Sequence, residues 1–269
     1  MKKLIALILA AMMLTLCFAG CGAQTNEPNE TGAAPASDLA YVQGNGKLIV
    51  GITDYEPMDY KDENGEWTGF DAEFAQLFAK ELGVECEFFV IGDWGKKFVE
   101  LETKNIDCVW NGMTITEEAT SNASVSNPYV VNAQVVVMKA DKIDSVKSAE
   151  DMADLAVAAE NGSAGQKAAE EAGVKNVIAV QDQAAALLEV KAGTSDACVI
   201  DITMANAMTG EGTDYAELAA GISLTSEEYG VAFRKDSDMT AKFNAFMAKL
   251  IEDGTLQALA DKYELTLAE

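Results

Sequence analysis

Asp201 follows the apolar run Cys198-Val199-Ile200 directly, where a purely structural strand would continue with another hydrophobe or break into a turn. A carboxylate at that point can hold a cation through a charge-assisted hydrogen bond worth roughly 1.5 to 3 kcal/mol. Its other reading is a cap on the segment that follows. Tyr55 and Trp94 each stand just beyond a β-like run, where the loops of an open α/β sheet line a ligand crevice; the alternative is that both are ordinary core aromatics. Asn111, Gly112 and Thr114 follow the run ending at Trp110, so their backbone and hydroxyl groups would meet a ligand at the carboxyl end of that strand. Ser163, in Asn161-Gly162-Ser163, precedes a helix whose N-terminal amides form an anion site. By default each of these is only a loop. Asp71, between Gly69-Phe70 and an apolar helical stripe, is assigned to the cap of that helix. The chain contains no histidine. Cys/His zinc sites and Ser-His or Cys-His nucleophile pairs are therefore excluded, and no metal or cofactor is expected.

Alternating elements carry these residues. Strand 47–53, helix 70–82, strand 86–91, helix 95–103 and strand 106–111 make a first set. Strand 134–138, helix 149–152, strand 155–159, helix 163–172, strand 177–180, helix 183–192 and strand 197–201 make a second. Such alternation is the signature of an α/β protein with mostly parallel sheet. Between the first strand and helix, Asp62-Glu63-Asn64-Gly65 reads as a hairpin turn, because Asn-Gly tolerates positive φ. An EF-hand reading of that stretch fails, since its first ligand position falls on Tyr60 and its terminal glutamate on Asp71. The two halves echo each other: Asp107 heads the apolar run 108–110, and Asp196 heads 197–200. The closing segment 229–234 and a helix over 239–253 fit a chain returning to its first lobe, so that two crossovers form a hinge.

The N-terminus reads differently. Lys2 and Lys3 precede an apolar run over 4–20, the pattern of a secretory signal; a membrane span wants roughly 20 apolar residues with flanking anchors. Phe18-Ala19-Gly20-Cys21 resembles the bacterial lipobox, with Phe18 where leucine is usual, and implies that Cys21 is lipidated. The alternative is ordinary cleavage that leaves Cys21 a free thiol. Residues 22–37 are rich in Asn, Glu, Thr, Ala and Pro and read as a flexible tether. The expected plan is a signal (1–20), a lipidated N-terminus and tether (21–44), a first lobe (45–131 with 229–269) and a second lobe (132–228). The product is an extracytoplasmic monomer held to the cell membrane by its lipid. A formal charge of −25 and a pI near 4.2 argue against nucleic acid or an anionic membrane surface as partner, and mildly favour cationic ligands. Cys86, Cys108 and Cys198, an odd number within apolar runs, read as buried small hydrophobes.

Several motifs together resemble the family 3 solute-binding proteins of polar amino acid ABC importers. Tyr55-Glu56-Pro57 resembles the family's ligand loop, and Gly65-Glu66-Trp67-Thr68-Gly69-Phe70-Asp71 its Asn-Gly turn and Gly-Phe-Asp helix start. Ile106-Asp107, Thr114-Ile115-Thr116, Ser126-Asn127-Pro128-Tyr129, Asp196-Ala197, Asp201, Asp253-Gly254-Thr255 and Lys262-Tyr263 follow in the family's order. The resemblance covers nearly the whole chain beyond the N-terminal segment. It implies a periplasmic-binding-protein-like fold of type II, with two α/β lobes, a two-strand hinge and a ligand enclosed between the lobes. It also implies an ABC permease as partner, aromatics at Tyr55 and Trp94 against the ligand side chain, and Asp201 receiving the ligand's ammonium group.

One position departs from the family. Members that bind α-amino acids carry an arginine three residues after the second threonine of the Thr-Ile-Thr motif, and here that position is Ala119. The one arginine of the chain, Arg234, lies in a segment resembling the return strand. Lys96 and Lys97 are nearest the cleft in pattern, but a lysine lacks the bidentate fork. Two ligands fit: an amino acid whose carboxylate is held by N–H groups at Thr114 and Ser163, or an amine without a carboxylate, cradled by Asp201, Tyr55 and Trp94. An enzyme of the same architecture, such as a dehydratase, and a sensory domain are the remaining alternatives.

Overall fold

The computed structural model describes residues 37–269. The expected signal, the lipidation at Cys21 and the tether over 22–36 lie outside the described residues. The expected tether also ran through residue 44, and there the structure corrects it: Asp38–Asn45 form a helix, α1, capped by Ser37, whose side chain accepts the N–H of Ala40. Arg234 Nε holds Asp38 by both carboxylate oxygens, at 2.9 and 3.0 Å. Only two positions of this helix are buried, too few for a visible period, and its anchor lies 196 residues away.

The first lobe opens with β1 (Lys47–Ile52), the hairpin β2 (Tyr60–Lys61) and β3 (Trp67–Thr68), α2 (Phe70–Leu82) and β4 (Glu85–Val90). A 3-10 turn, Trp94–Lys96, leads into α3 (Lys97–Glu102), then β5 (Cys108–Val109), α4 (Glu117–Asn122) and β6 (Ser124–Val125). β7 (Val130–Asn132) carries the chain across to β8 (Gln134–Lys139), β9 (Ala156–Glu160), α5 (Ala164–Glu171), β10 (Asn176–Val180), α6 (Gln183–Ala192), β11 (Ala197–Asp201), α7 (Ile202–Met208) and β12 (Leu218–Ser223). It returns through β13 (Glu227–Tyr229) to β14 (Ala232–Phe233), α8 (Met239–Glu252) and α9 (Thr255–Lys262).

The sheets run β4-β1-β5-β14-β6 and β10-β9-β11-β8-β12. In each, the first three strands are parallel, the fourth runs against them, and the fifth pairs antiparallel with the fourth. The expected two-lobed α/β architecture with a two-strand hinge is the one adopted, and β7 and β13 are the hinge, paired antiparallel from Asn132↔Glu227 to Val130↔Tyr229. The echo between halves has a physical basis. Asp107 donates its N–H to Ile49 O at 2.7 Å and accepts Ile49 N on Oδ2 at 3.0 Å; Asp196 makes the same pair with Ala156 at 2.8 and 3.0 Å. In both lobes a carboxylate stands in for the next ladder carbonyl and satisfies an N–H at the start of the strand.

Helix α2 starts at Gly69, with φ at 114° and no room for a side chain: a Cβ would sit 2.3 Å from Met58 O. Its apolar stripe packs on α8, where Phe74, Trp110 and Phe243 meet edge to face or tilted at ring distances of 4.9 to 5.5 Å. Two expected helices differ in type: 149–152 is a single 3-10 turn, and 95–103 begins as one before α3. Helix α7 was not expected at all; it begins immediately after Asp201, with no turn residue to announce it. Cys108 and Cys198 are buried, while Cys86 is only half-buried. No helix among the described residues is long and apolar enough to cross a membrane.

Candidate functional site

A cavity of about 290 Å³ lies between the lobes, where the carboxyl ends of their parallel strands face each other. That is the small end of the range for ligand sites, roughly 300 to 1,000 Å³. Trp94, Asn111, Gly112 and Thr114 reach it from the first lobe, and Ser163 and Asp201 from the second. A larger hollow of about 820 Å³ is lined by the hinge residues Val131 and Asn132 together with Pro57, Ile202 and Leu265; none of the six residues that reach the first cavity lines it.

Tyr55 does not reach the cavity. Its ring is buried and its hydroxyl bonds Thr203 of the second lobe and Tyr229 of the hinge, so in this structure it fastens lobe to lobe instead of packing on a ligand. Asn111 lines the cavity, but its amide is committed within the first lobe, to Thr53 O at 3.0 Å and Asp59 at 2.8 Å. Thr114 donates to Glu227 Oε1 at 2.8 Å. Ser163 caps α5 by accepting Gln166 N at 3.1 Å, and the Gln166 side chain in turn takes Gly162 N at 2.7 Å. Part of the anion site expected there is thus used by the protein itself.

Asp201 ends β11 with extended backbone and makes no side-chain capping bond to α7, so the cap reading is set aside. Asn132 and Gln134 donate to its Oδ1, and Gln183 to its Oδ2. The Tyr229 hydroxyl lies close enough to donate as well, so a ligand ammonium would join or displace donors the protein already supplies. Burial, followed by the nearby Glu227 carboxylate, pushes its pKa up to about 7. Asn132 and Gln134 also donate to Glu227 Oε1, both at 2.7 Å. The two amides therefore bridge two acids and tie the cleft carboxylate to the hinge.

Asp71 is not the cap of α2, a place taken by Gly69. It is fully buried and reaches across to Gly112 N at 2.6 Å and Tyr129 Oη at 2.8 Å. Burial holds its pKa up at about 7 against those donors. Gly112 adopts φ of 54°, and a Cβ there would fall 2.6 Å from the Tyr55 ring; the loop is shaped by what it touches on both sides.

A model of the bacterial extracellular solute-binding proteins, family 3, matches residues 48–266. The chain belongs to that family. It is 30% identical over 229 residues to the L-cystine-binding protein TcyJ of Escherichia coli (strain K12), covering 84% of this chain and 85% of that one. Among solved structures, a mutant of ArgBP from T. maritima superposes with a TM-score of 0.78 at 33% identity, over 84% of this chain and 98% of the other. The ancestral amino acid-binding protein AncCDT-1, a precursor of cyclohexadienyl dehydratase, gives 0.76 at 34%, over 84% and 99%. The fold is therefore the type II periplasmic binding fold.

In this solute-binding protein the lobes touch directly at the cavity rim. Asn161 donates to Asp93 at 2.9 Å, and Lys97 of the first lobe donates to Gly162 O of the second at 3.2 Å. Ala119, three residues past the Thr-Ile-Thr motif, lines the cavity wall and is almost fully buried, its N–H capped by Thr116. Arg234 is far from being a substitute cation: besides Asp38 it donates to Ile106 O at 2.9 Å and Asp107 at 3.1 Å. Sequence reasoning missed Glu160, Gln183 and Glu227. Glu160 carried the same signal as Asp201, an acid at the end of an apolar strand. Glu227 carried none, since it meets Thr114 across 113 residues.

Proposed function

We propose that this chain is the extracytoplasmic solute-binding component of an ABC importer. It encloses a small amino-group-bearing solute, an amino acid or derivative, between its lobes and hands it to a permease. A lipid on Cys21 keeps it, as a monomer, at the cell surface. The observation that carries the reading is Asp201, a buried carboxylate at a strand end in the interlobe cavity, held in place by amides of three side chains. Family membership and amino acid-binding relatives support it. Trp94, Asn111, Gly112, Thr114 and Ser163 supply the surrounding wall, and closure proceeds by bending at β7 and β13.

Calorimetry with a panel of amino acids and their decarboxylated amines tests this directly. At least one should bind, and Asp201→Asn should weaken it about 10- to 100-fold, the scale of one charge-assisted hydrogen bond. A panel with no binder, or an asparagine variant that binds as tightly, would sink the proposal. Lipidation is checked separately, by whether Cys21→Ser moves the protein from the membrane fraction to the medium.

Ala119 favours a second reading, an amine without an α-carboxylate, because the wall there presents a methyl group. Preference for the amine of a pair over its amino acid would establish it. Turnover of a cyclic carboxylic acid would instead point to a dehydratase.

A further inference from the structure

Two ionisable groups of opposite type face the interlobe cavity, each within electrostatic reach of the other but with no ion pair between them among the described residues. Lys97 lies on α3 with its side chain 94% buried by its neighbours, being only 6% exposed. Its ammonium donates to two backbone carbonyls, Trp94 O at 3.3 Å and Gly162 O at 3.2 Å, and to no carboxylate among the described residues. It also sits 5.0 Å over the Trp94 and Phe98 rings. An ammonium has three donors, so one is left. Buried lysines are rare unless paired, and carbonyls and rings offset only part of the charge.

Glu160, at the carboxyl end of β9, is 3% exposed, and its Oε1 is buried with no hydrogen-bond partner among the described residues. Both residues line the cavity, Lys97 from the first lobe and Glu160 from the second. A buried acceptor left without a partner carries its full desolvation penalty, larger still for a charged group. A structural core would have filled both positions with hydrophobes or bonded them to each other. Burial lowers the pKa of Lys97 and raises that of Glu160 well above the usual range; a ligand that supplies the missing counter-charges reverses both trends.

We propose that Lys97 and Glu160 read the two ends of a dipolar solute: Lys97 takes a carboxylate of the ligand and Glu160 takes a cationic group. This rests on the proposed solute-binding function and narrows its substrate class to zwitterions, against amines that lack a carboxylate. Asp201 also lines the cavity, so the cleft has two acids for cationic groups and one buried ammonium for the anionic one. The wall carries four carboxyl groups, Glu118, Glu160, Glu170 and Asp201, against two amines, Lys97 and Lys167. Lys167 is solvated and already lies 3.8 Å from Glu171, which leaves Lys97 as the buried cation that selects.

The experiment compares matched pairs by calorimetry: lysine with cadaverine, ornithine with putrescine, arginine with agmatine, each against the unmodified protein, Lys97→Met, Lys97→Arg and Glu160→Gln. The unmodified protein should bind the amino acid of a pair more tightly than the amine. Lys97→Met should lower amino acid affinity about 10- to 100-fold and amine affinity much less, so that the ratio within a pair collapses; Lys97→Arg should retain most of it. Glu160→Gln should weaken both members of a pair. An unmodified protein that prefers the amine overturns the inference with no variant needed, as does an unchanged ratio in Lys97→Met. If no panel member binds the unmodified protein, the proposed function falls and takes the inference with it. If amino acids bind and the Lys97→Met ratio holds, only the inference falls.

Discussion

The Asp71 carboxylate accepts the backbone N–H of Gly112 at 2.6 Å, joining the first turn of α2 to the loop that forms one wall of the ligand cavity. The same oxygen takes Tyr129 Oη, and the other oxygen is buried without a partner. This places a titrating group beneath the ligand-binding loop.

Stability should therefore fall as the pH rises from about 4 to about 7. Asp71 ionises near 3.8 when unfolded and near 7 when folded, so across that window the folded state holds the extra proton and each step upward in pH favours unfolding. Asp201 adds a contribution of the same sign. Urea unfolding at pH 5, 6, 7 and 8 should show the highest midpoint at pH 5, with a shallower slope in Asp71→Asn. A midpoint that climbs steadily to pH 8 would contradict the burial argument.

Ligand affinity should move the other way. An ammonium binds the ionised form of Asp201, which near pH 7 is only partly populated, so each unit of pH below 7 should weaken binding by up to tenfold. The raised Glu160 carboxyl acts in the same direction. Titrations at pH 5.5 and 8 check this, and affinity unchanged between them would count against both acids as cation sites.

Closure should depend on Gly162. Its φ is 72°, and a Cβ there would lie 2.5 Å from Gly95 Cα and 2.9 Å from Gly95 N in the opposite lobe. Backbone atoms cannot rotate out of the way. Gly162→Ala should fold with a melting temperature within a few degrees of the parent, yet show little compaction on adding a binding ligand by small-angle scattering. Compaction equal to that of the parent would mean that the lobes meet elsewhere.

Arg234 should matter for stability and not for binding. Its fork spans α1, Asp107 and Ile106 O in a nearly buried site, and removing one partner of such a network costs about 3 to 5 kcal/mol. Arg234→Met should lower the unfolding free energy extrapolated from urea titration by that amount and leave calorimetric affinity within twofold. A ligand defect without a stability defect would place the arginine in the cleft after all.

Much of the scaffold was legible in the sequence. Helices 70–82 and 183–192 and strand 197–201 match the observed elements residue for residue, because each has an apolar pattern closed by a glycine or an acid. The paired roles of Asp107 and Asp196 were visible as a repeated acid before an apolar run. The site was read less evenly. Trp94, Asn111, Gly112, Thr114, Ser163 and Asp201 do converge, whereas Tyr55 is drawn into an interlobe bond with Thr203. Asp71 was assigned to its own helix when its partners lie 41 and 58 residues onward.

By itself the sequence determined the α/β architecture, the chain's return to its first lobe, and the acid at the end of β11. These follow from local periodicity and from where apolar runs stop, which neighbours along the chain dictate. Only the tertiary structure decided that Lys97 and Glu160 share a cavity, that Asn132 and Gln134 bridge Asp201 to Glu227, and that Tyr55 faces Thr203. Those relationships arise where two lobes meet. The energy of a buried charge depends on partners brought close in space, and linear order carries no record of them.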